Sequence, residues 1–467
     1  MRTLFHIFVS FLLGSTFLLA QEKVLGFEEY MAQVKAFHPV VKQANLQLEM
    51  SEASLLEARG GFDPKVEVDY ENKEFKGTEY YDNLNTSFKI PTWYGIELKA
   101  SWEQNSGEFL NPQNVVPEDG LYSAGVSLSL KEGFLLTKRM ATVRKAKLFI
   151  QQTQAERDIL VNAILHDAAI AYIDWLQAFK ERSVYETFLT NAEDRFQGIK
   201  KQAEVGEMAA IDSTEAKITF QNRQLSLEAA RLAYRKAALE VSNYLWLSNT
   251  IPVELQQDVT PVPVAPSEMD RVLALSGLAL NDIDITNHPK IQAVQRKVDQ
   301  LQLDTRLKRN LLLPDVSAYY NFLTTTPEVA NSFINDNLKA GLQLSVPIFL
   351  RKERGALQLA KAKEQDGEFT LENEKLQLRN KLDAAFTAVQ SYSDQYDVIQ
   401  DIVTNYETLW EAEIRKFDLG ESSLFLVISR ENRFIDARLK EIDLENKWFR
   451  AKLDLFRTTV QNPDAIP

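Results

Sequence analysis

Histidine, cysteine and clustered carboxylates build most catalytic and metal sites, and this sequence supplies them sparingly. It has no cysteine, which removes thiolate nucleophiles, thiolate metal ligands, disulfide staples and a lipid-anchoring cysteine. Of its four histidines, His6 lies in an N-terminal apolar run, and His38, His166 and His288 are spread over different segments. His38-Pro39 and His288-Pro289 repeat one another. Neither has a second histidine or clustered carboxylates at ligand spacing, so both read as neighbours of a helix cap rather than as metal ligands. No Walker loop, G-x-G-x-x-G, H-E-x-x-H or G-x-S-x-G elbow occurs, and the carboxylates single out no acid/base pair. The expectation is no catalytic residue, no metal and no cofactor.

The elements that would have to position any site are more informative. Arg2, the apolar run from Leu4 to Leu19 and the small Ala20 read as a secretory signal peptide over 1–20, with the mature chain starting at Gln21. With 53 basic against 66 acidic residues the net charge is −13, which argues against nucleic acid as a partner and suits a solvated surface or a lumen. In 467 residues, 17 glycines and 15 prolines are few for the loops of several globular domains, so long helices are expected.

The chain repeats itself. At an offset of 250, His38-Pro39, Arg59, Pro64, Val66 and Tyr70 match His288-Pro289, Arg309, Pro314, Val316 and Tyr320. Leu128-Ser129 and Lys145-Ala146-Lys147 recur as Leu344-Ser345 and Lys361-Ala362-Lys363, and Gly206-Glu207, Phe220 and Leu225 as Gly420-Glu421, Phe434 and Leu439. Order is kept throughout, so the chain divides into a first repeat over 21–250, a linker over 251–285 rich in proline from Pro252 to Pro266, a second repeat over 286–460 and a tail over 461–467.

Each repeat reads as a helix, then strands, then two long helices. Period-two alternation marks four strands within about 65–130, centred on Val66 to Tyr70, Leu84 to Ile90, Tyr94 to Trp102 and Tyr122 to Leu130. Two more lie within about 315–346, Val316 to Phe322 and Leu338 to Val346. Their length suits barrel strands, and Trp93, Tyr94, Trp102, Tyr122, Tyr319 and Tyr320 stand near strand ends, where interfacial aromatic girdles sit. Six strands would enclose little lumen, so an open channel requires several chains to share one barrel.

From Gly133 to about Val205 the period is helical without a proline, a segment of roughly 100 Å; its counterpart runs from about Arg354 to Leu419. Ile159, Ala163, Ile170 and Ile173 form one apolar seam, and Val161, Leu165, Ala168, Tyr172, Trp175 and Phe179 another. Two seams imply two helical neighbours. His166 falls on the first and reads as a packed core histidine. Gly206 and Gly420 end these helices, and second helices follow from Met208 to about Leu247 and from Leu424 to about Thr459, so both glycines mark hairpin tips.

From the His38-Pro39 segment to about Thr459 the chain resembles the TolC-like outer membrane efflux proteins. The most specific elements are the repeated plan and the tip segments Val205-Gly206-Glu207-Met208-Ala209-Ala210-Ile211-Asp212 and Leu419-Gly420-Glu421-Ser422-Ser423-Leu424-Phe425-Leu426. The resemblance implies a mainly α chain with a membrane β-barrel. It implies a homotrimer seated in outer-membrane lipid and continued by a periplasmic α-helical barrel. The function it implies is a passive exit duct of a tripartite efflux or type I secretion system. Gly206, Glu207, Ala210, Asp212, Gly420, Glu421, Ser422 and Ser423 would then meet a periplasmic adaptor that links the duct to an inner-membrane pump.

Two departures stand out. Family members carry aspartates six and nine residues after the second-half tip glycine, whereas Leu426 and Ser429 stand here; Asp212 and Glu215 hold the first-half places. These two either form an acidic aperture or belong to a solvated helix face. The span from Pro64 to Leu128 also exceeds that from Pro314 to Leu344 by 34 residues. The family has two strands per half and twelve per trimer; four plus two here gives either eighteen or an extra hairpin outside the membrane. The alternative function is a non-channel periplasmic coiled-coil adaptor or scaffold, which the long helices fit equally well and the amphipathic strands do not.

Overall fold

The computed structural model describes residues 23–129, 135–280, 283–326, 337–346 and 348–460. The signal segment over 1–20, the tail over 461–467, Leu130 and Gly133 lie outside them. The elements are α1 (Phe27–Phe37), α2 (Pro39–Arg59), β1 (Lys65–Phe75), β2 (Thr78–Pro91), β3 (Ile96–Ser106), β4 (Leu121–Ser129), α3 (Lys138–Glu204), α4 (Ala210–Ser242), α5 (Pro266–Val272), α6 (Pro289–Asn310), β5 (Asp315–Thr324), β6 (Leu338–Ser345), α7 (Arg351–Asp418) and α8 (Leu424–Thr459). The helix, strands, long-helix-pair plan thus occurs twice, with four strands and then two.

Two compact units share the chain. One comprises Ala44–Ile159 and Asp284–Leu378 and contains a six-stranded antiparallel sheet in the order β6-β5-β4-β3-β2-β1. Beside its strands, α3 and α6 are tied by Lys145 to Asp304 at 2.5 Å and Gln300 to Gln152 at 2.8 Å. Trp93 departs from the expected girdle position. It sits in the turn between β2 and β3 and packs with Phe62 on Ala58, Val143 and Ala146, because a ring at that turn reaches the α2 and α3 side chains. Strand β3 begins at Ile96, since Thr92 folds back to donate its N–H and its hydroxyl to the Ile96 carbonyl and takes Tyr94 into the turn.

The other unit comprises residues up to Gln43, Leu160–Ile283 and Arg379 onward. The seam Val161, Leu165, Ala168, Tyr172 and Trp175 is fully buried there, while Ala163 and Ile170 of the other seam stay half-exposed. Tyr172 packs on Phe27 and Tyr30, and its hydroxyl donates to the carbonyls of Leu25 and Val262. The window of α3 apolar enough to cross a membrane is 61% buried inside the protein, which makes it a core stave. The stretch after α4 is packed: Trp246–Leu247 pairs with Ile251–Pro252, Val24–Leu25 with Thr260–Pro261, and Lys452 of α8 reaches Asp270 of α5 at 2.8 Å.

Both histidine-proline pairs are caps. His38 Nδ1 accepts from Val40 N–H at 3.2 Å and His288 Nδ1 from Lys290 N–H at 3.1 Å, while the following proline supplies the first helical residue without an N–H to satisfy. His38 is buried against Tyr244 and Trp246, and burial holds its imidazole below the ordinary histidine range, in the neutral form that an accepting Nδ1 requires. His166 is buried with both ring nitrogens on carboxylates, Asp167 at 2.8 Å and Asp454 at 3.2 Å. Among the described residues no group of three or more His, Asp or Glu is disposed to hold a metal.

Candidate functional site

Helices α3 and α7 stop in the same way. Gly206 N–H donates to Ala203 O at 3.2 Å and Glu207 N–H to Gln202 O at 2.9 Å; Gly420 N–H donates to Phe417 O at 2.9 Å and Glu421 N–H to Lys416 O at 2.8 Å. These paired bonds, three and five residues back, form a Schellman stop, and they place the glycines at φ +83° and +74°. A Cβ at either would meet nothing within 4 Å, so glycine is required by the left-handed backbone rather than by space. The return helices then start differently. The Ser423 side chain caps α8 by accepting from Leu426 N–H at 3.4 Å, whereas Ala209 gives α4 no side-chain cap and Asp212 lies in its first turn, where the helix dipole favours an anion.

The two tips share a core of Ile199, Ala216, Leu424 and Ile428, covered by Phe196, Met208 and Phe417. Ser422 donates to Glu413 Oε1 at 2.5 Å, and Arg430 Nε stands 3.7 Å from Oε2 of the same carboxylate. Deeper in, Glu431 of α8 is completely buried. Arg195 of α3 donates to it, and Arg223 of α4 places Nη2 3.5 Å from Oε1 while also donating to Asn432. Three helices are therefore joined at one carboxylate. Sequence reading missed this clamp; its only trace is that Arg195 and Glu431 each stand eleven residues from their tip glycine.

Of the anticipated tip residues, Gly206, Glu207, Ala210, Gly420, Glu421 and Ser423 are exposed, and Ser422 is half-buried through its bond to Glu413. Asp212 and Glu215 are half-exposed on α4 and form no ion pair among the described residues; Leu426 and Ser429 hold the corresponding places on α8. Unanticipated is an apolar rim of Val205, Ile211, Leu419 and Phe425, each 65–75% exposed. Away from the tip the same exposed face of α4 carries Ile218, Leu225, Leu232 and Leu239, which continue from Ile211 at strict seven-residue intervals.

The sheet is inside-out relative to one in water. Register puts Ile96, Leu98 and Ala100 of β3 on one face with Leu128, Val126 and Ala124 of β4, and that face is exposed; Leu98, Val126 and Phe88 are each over 40% exposed. Its opposite face is polar and more enclosed. Ser87 and Ser101 are buried, and Ser101 bonds Ser123 at 2.6 Å. A hollow of about 370 Å³ on this side is lined by Lys99, Ser101, Ser123, Asn321 and Lys339 among others. Lys65, Lys89 and Lys99 are consecutive partners in one cross-strand row that continues through Gly125 and Asn321 to Lys339. Tyr319 also lies on this polar face, not in the outer aromatic band: it pairs with Gly341, and a Cβ there would stand 2.5 Å from the tyrosine ring. Trp102 and Tyr122 do stack on the apolar face, with ring centroids 6.3 Å apart.

Residues 284–459 match the outer membrane efflux protein family. Over 344 residues, 70% of this chain and 68% of the relative, the chain is 20% identical to the probable efflux pump outer membrane protein SepC of Pseudomonas putida, and equally to the toluene efflux pump outer membrane protein TtgF of that species. Among solved structures, the CmeC outer membrane channel of Campylobacter jejuni superposes with a TM-score of 0.63, at 13% identity over 93% of this chain and 85% of its own. The outer membrane protein VceC of Vibrio cholerae does so with a TM-score of 0.64, at 12% identity over 93% and 96%.

Proposed function

We propose that this chain, a TolC-like outer membrane efflux protein by family and by fold, is the passive exit duct of a tripartite export system, working as a homotrimer whose helical tips meet a periplasmic adaptor. The observation that carries the reading is the inside-out sheet. An antiparallel sheet whose exposed face is apolar and whose polar face is more enclosed suits lipid on its outer side and water on its inner side. A soluble coiled-coil adaptor, the rival reading, has no use for such a sheet.

Trimer formation is supported by surfaces that a lone chain leaves open. The α4 seam of Ile211, Ile218, Leu225, Leu232 and Leu239 has the seven-residue period of a helix partner seam and stays exposed among the described residues. On α7, Val398 and Ile402 are exposed beside a groove of about 1090 Å³ that also touches Leu444 of α8, which is the kind of surface such a seam enters. Adaptor docking is supported by the apolar rim and by the backbone-fixed turns at Gly206 and Gly420. Asp212 and Glu215, repeated by threefold symmetry, would concentrate negative charge at the aperture and favour cations. Energy comes from the inner-membrane pump; the duct contributes a path, opened by contacts that the adaptor makes only in the open state.

Membrane fractionation followed by planar-bilayer recording tests this. The expected result is recovery in the outer membrane as a trimer that conducts in discrete steps, with conductance raised by the cognate adaptor. Recovery in soluble periplasm without detergent, or a pore permanently open without an adaptor, refutes it.

A further inference from the structure

We infer that the extra first-half hairpin, β1–β2, is part of the membrane barrel, and that β1 closes the barrel by pairing with β6 of a second copy, so that three copies share eighteen strands. The inference rests on the trimer reading above and goes beyond it in fixing which edges meet.

The register carries the first step. One cross-strand row reads Val66, Phe88, Ala100, Ala124, Phe322, Leu338, one residue from each of the six strands, and every member is apolar. A neighbouring row reads Ile90, Leu98, Val126, Tyr320, Ala340. The polar face is as continuous, with Lys65, Glu67 and Asp69 of β1 on the same side as Lys89, Ser87 and Asn85 of β2 and Lys99 and Ser101 of β3. A hairpin folded outside or above the membrane would have water on both faces, and its outward residues would turn polar beyond β3. They do not: Val66, Val68 and Tyr70 are apolar and each more than 60% exposed.

If β1 lies in the apolar band, so does its free edge, and β6 presents the other. Neither outer edge pairs with any described strand. Unpaired backbone N–H and C=O groups are not tolerated in hydrocarbon, so each edge must be covered by another strand. Parity selects the partner. Six strands alternate in direction, so β1 and β6 run opposite ways, and a second copy placed edge to edge continues the antiparallel pattern with its apolar face still outward. This head-to-tail contact closes into a ring, and three copies give an even, fully antiparallel barrel. Barrel diameter grows roughly linearly with strand number, and about 16 to 18 strands leave an aqueous channel. The outer mouth is therefore wide, which leaves selection of cargo to the helical tips.

The cysteine-free chain gives a clean test. Cysteine pairs are placed on outward positions of β1 and β6, Val66→Cys or Val68→Cys with Leu342→Cys or Leu344→Cys. In parallel, Leu98→Cys with Leu342→Cys links β3 to β6, the contact of a twelve-stranded barrel with the hairpin left out. Full-length protein in outer membranes is oxidised and run on denaturing gels, with an amine-reactive cross-linker reporting the trimer independently. Covalent dimers and trimers from at least one β1–β6 pair, and none from β3–β6, are expected. Cross-links from β3–β6, or none from any pair while the amine cross-linker still shows trimers, overturn the eighteen-stranded closure and leave the duct reading standing. Monomers under both chemistries overturn the trimer itself.

Discussion

Replacing Glu431 by glutamine tests whether the buried clamp holds the tip helices together. The carboxylate is fully buried, and Arg195 and Arg223, with side chains 15% and 12% exposed, converge on it from two other helices. The substitution keeps the shape and removes the charge, leaving two enclosed guanidinium groups without a counterion. Breaking a buried pair on one side costs about 3–5 kcal/mol, and every ~1.4 kcal/mol is a factor of ten in an opening equilibrium. Amides of α8 around Ile428 to Phe434 are thus expected to lose roughly two to three and a half powers of ten in hydrogen-exchange protection. Replacing all three residues by methionine should recover much of that loss, because no charge then remains buried. Protection in E431Q within threefold of the parent, or a triple variant less protected than the single one, would refute the electrostatic account. Stepwise conductance should rise in E431Q if the same helices bound the closed aperture.

Four further outcomes follow. Gly206→Ala and Gly420→Ala each place a Cβ at positive φ in open space, so each should cost about 1 kcal/mol of stability through the backbone alone, read as a lowered melting temperature in detergent. Because the His38 pKa is depressed on folding, the unfolded chain binds the proton more readily; stability is full above the ordinary histidine value of 6.5 and falls as pH drops below it. Asn at 38 retains the cap without titrating and should flatten the melting curve's dependence on pH in that window. Leu225→Glu with Leu232→Glu should reduce recovery of trimers while the helical circular dichroism of the chain persists, and unchanged trimer yield would show that this seam faces solvent. Reversing the lumen charge with Lys99→Glu and Lys339→Glu should shift the reversal potential in a salt gradient toward cations, and no shift would place these lysines off the conduction path.

How much of this was legible beforehand follows from how local each feature is. The six strands and the long helices were readable because period-two and helical periodicities are written in contiguous residues, and both tip stops because a left-handed cap selects glycine. Helix ends shifted by a few residues, as at Lys138 and Ala210, since the last turn is set by capping bonds rather than by the apolar period. Alternation announced two faces on each strand but not how they line up across strands. That Tyr319 sits on the polar face over Gly341, and Trp93 among α2 and α3 side chains, depends on pairing register and on residues distant in sequence.

The same distinction separates the architecture from the clamp at the tips. Composition and repetition determined the architecture: few glycines and prolines, duplicated strands and duplicated helical hairpins. Tertiary structure alone decided that Arg195, Arg223 and Glu431 meet, that Ser422 is held by Glu413, and that the outward band runs unbroken from Val66 to Leu338. Charged residues on long helices read as solvated in any sequence window. Only when three such helices pack does one carboxylate lose its water and need two partners, and no local pattern records that event.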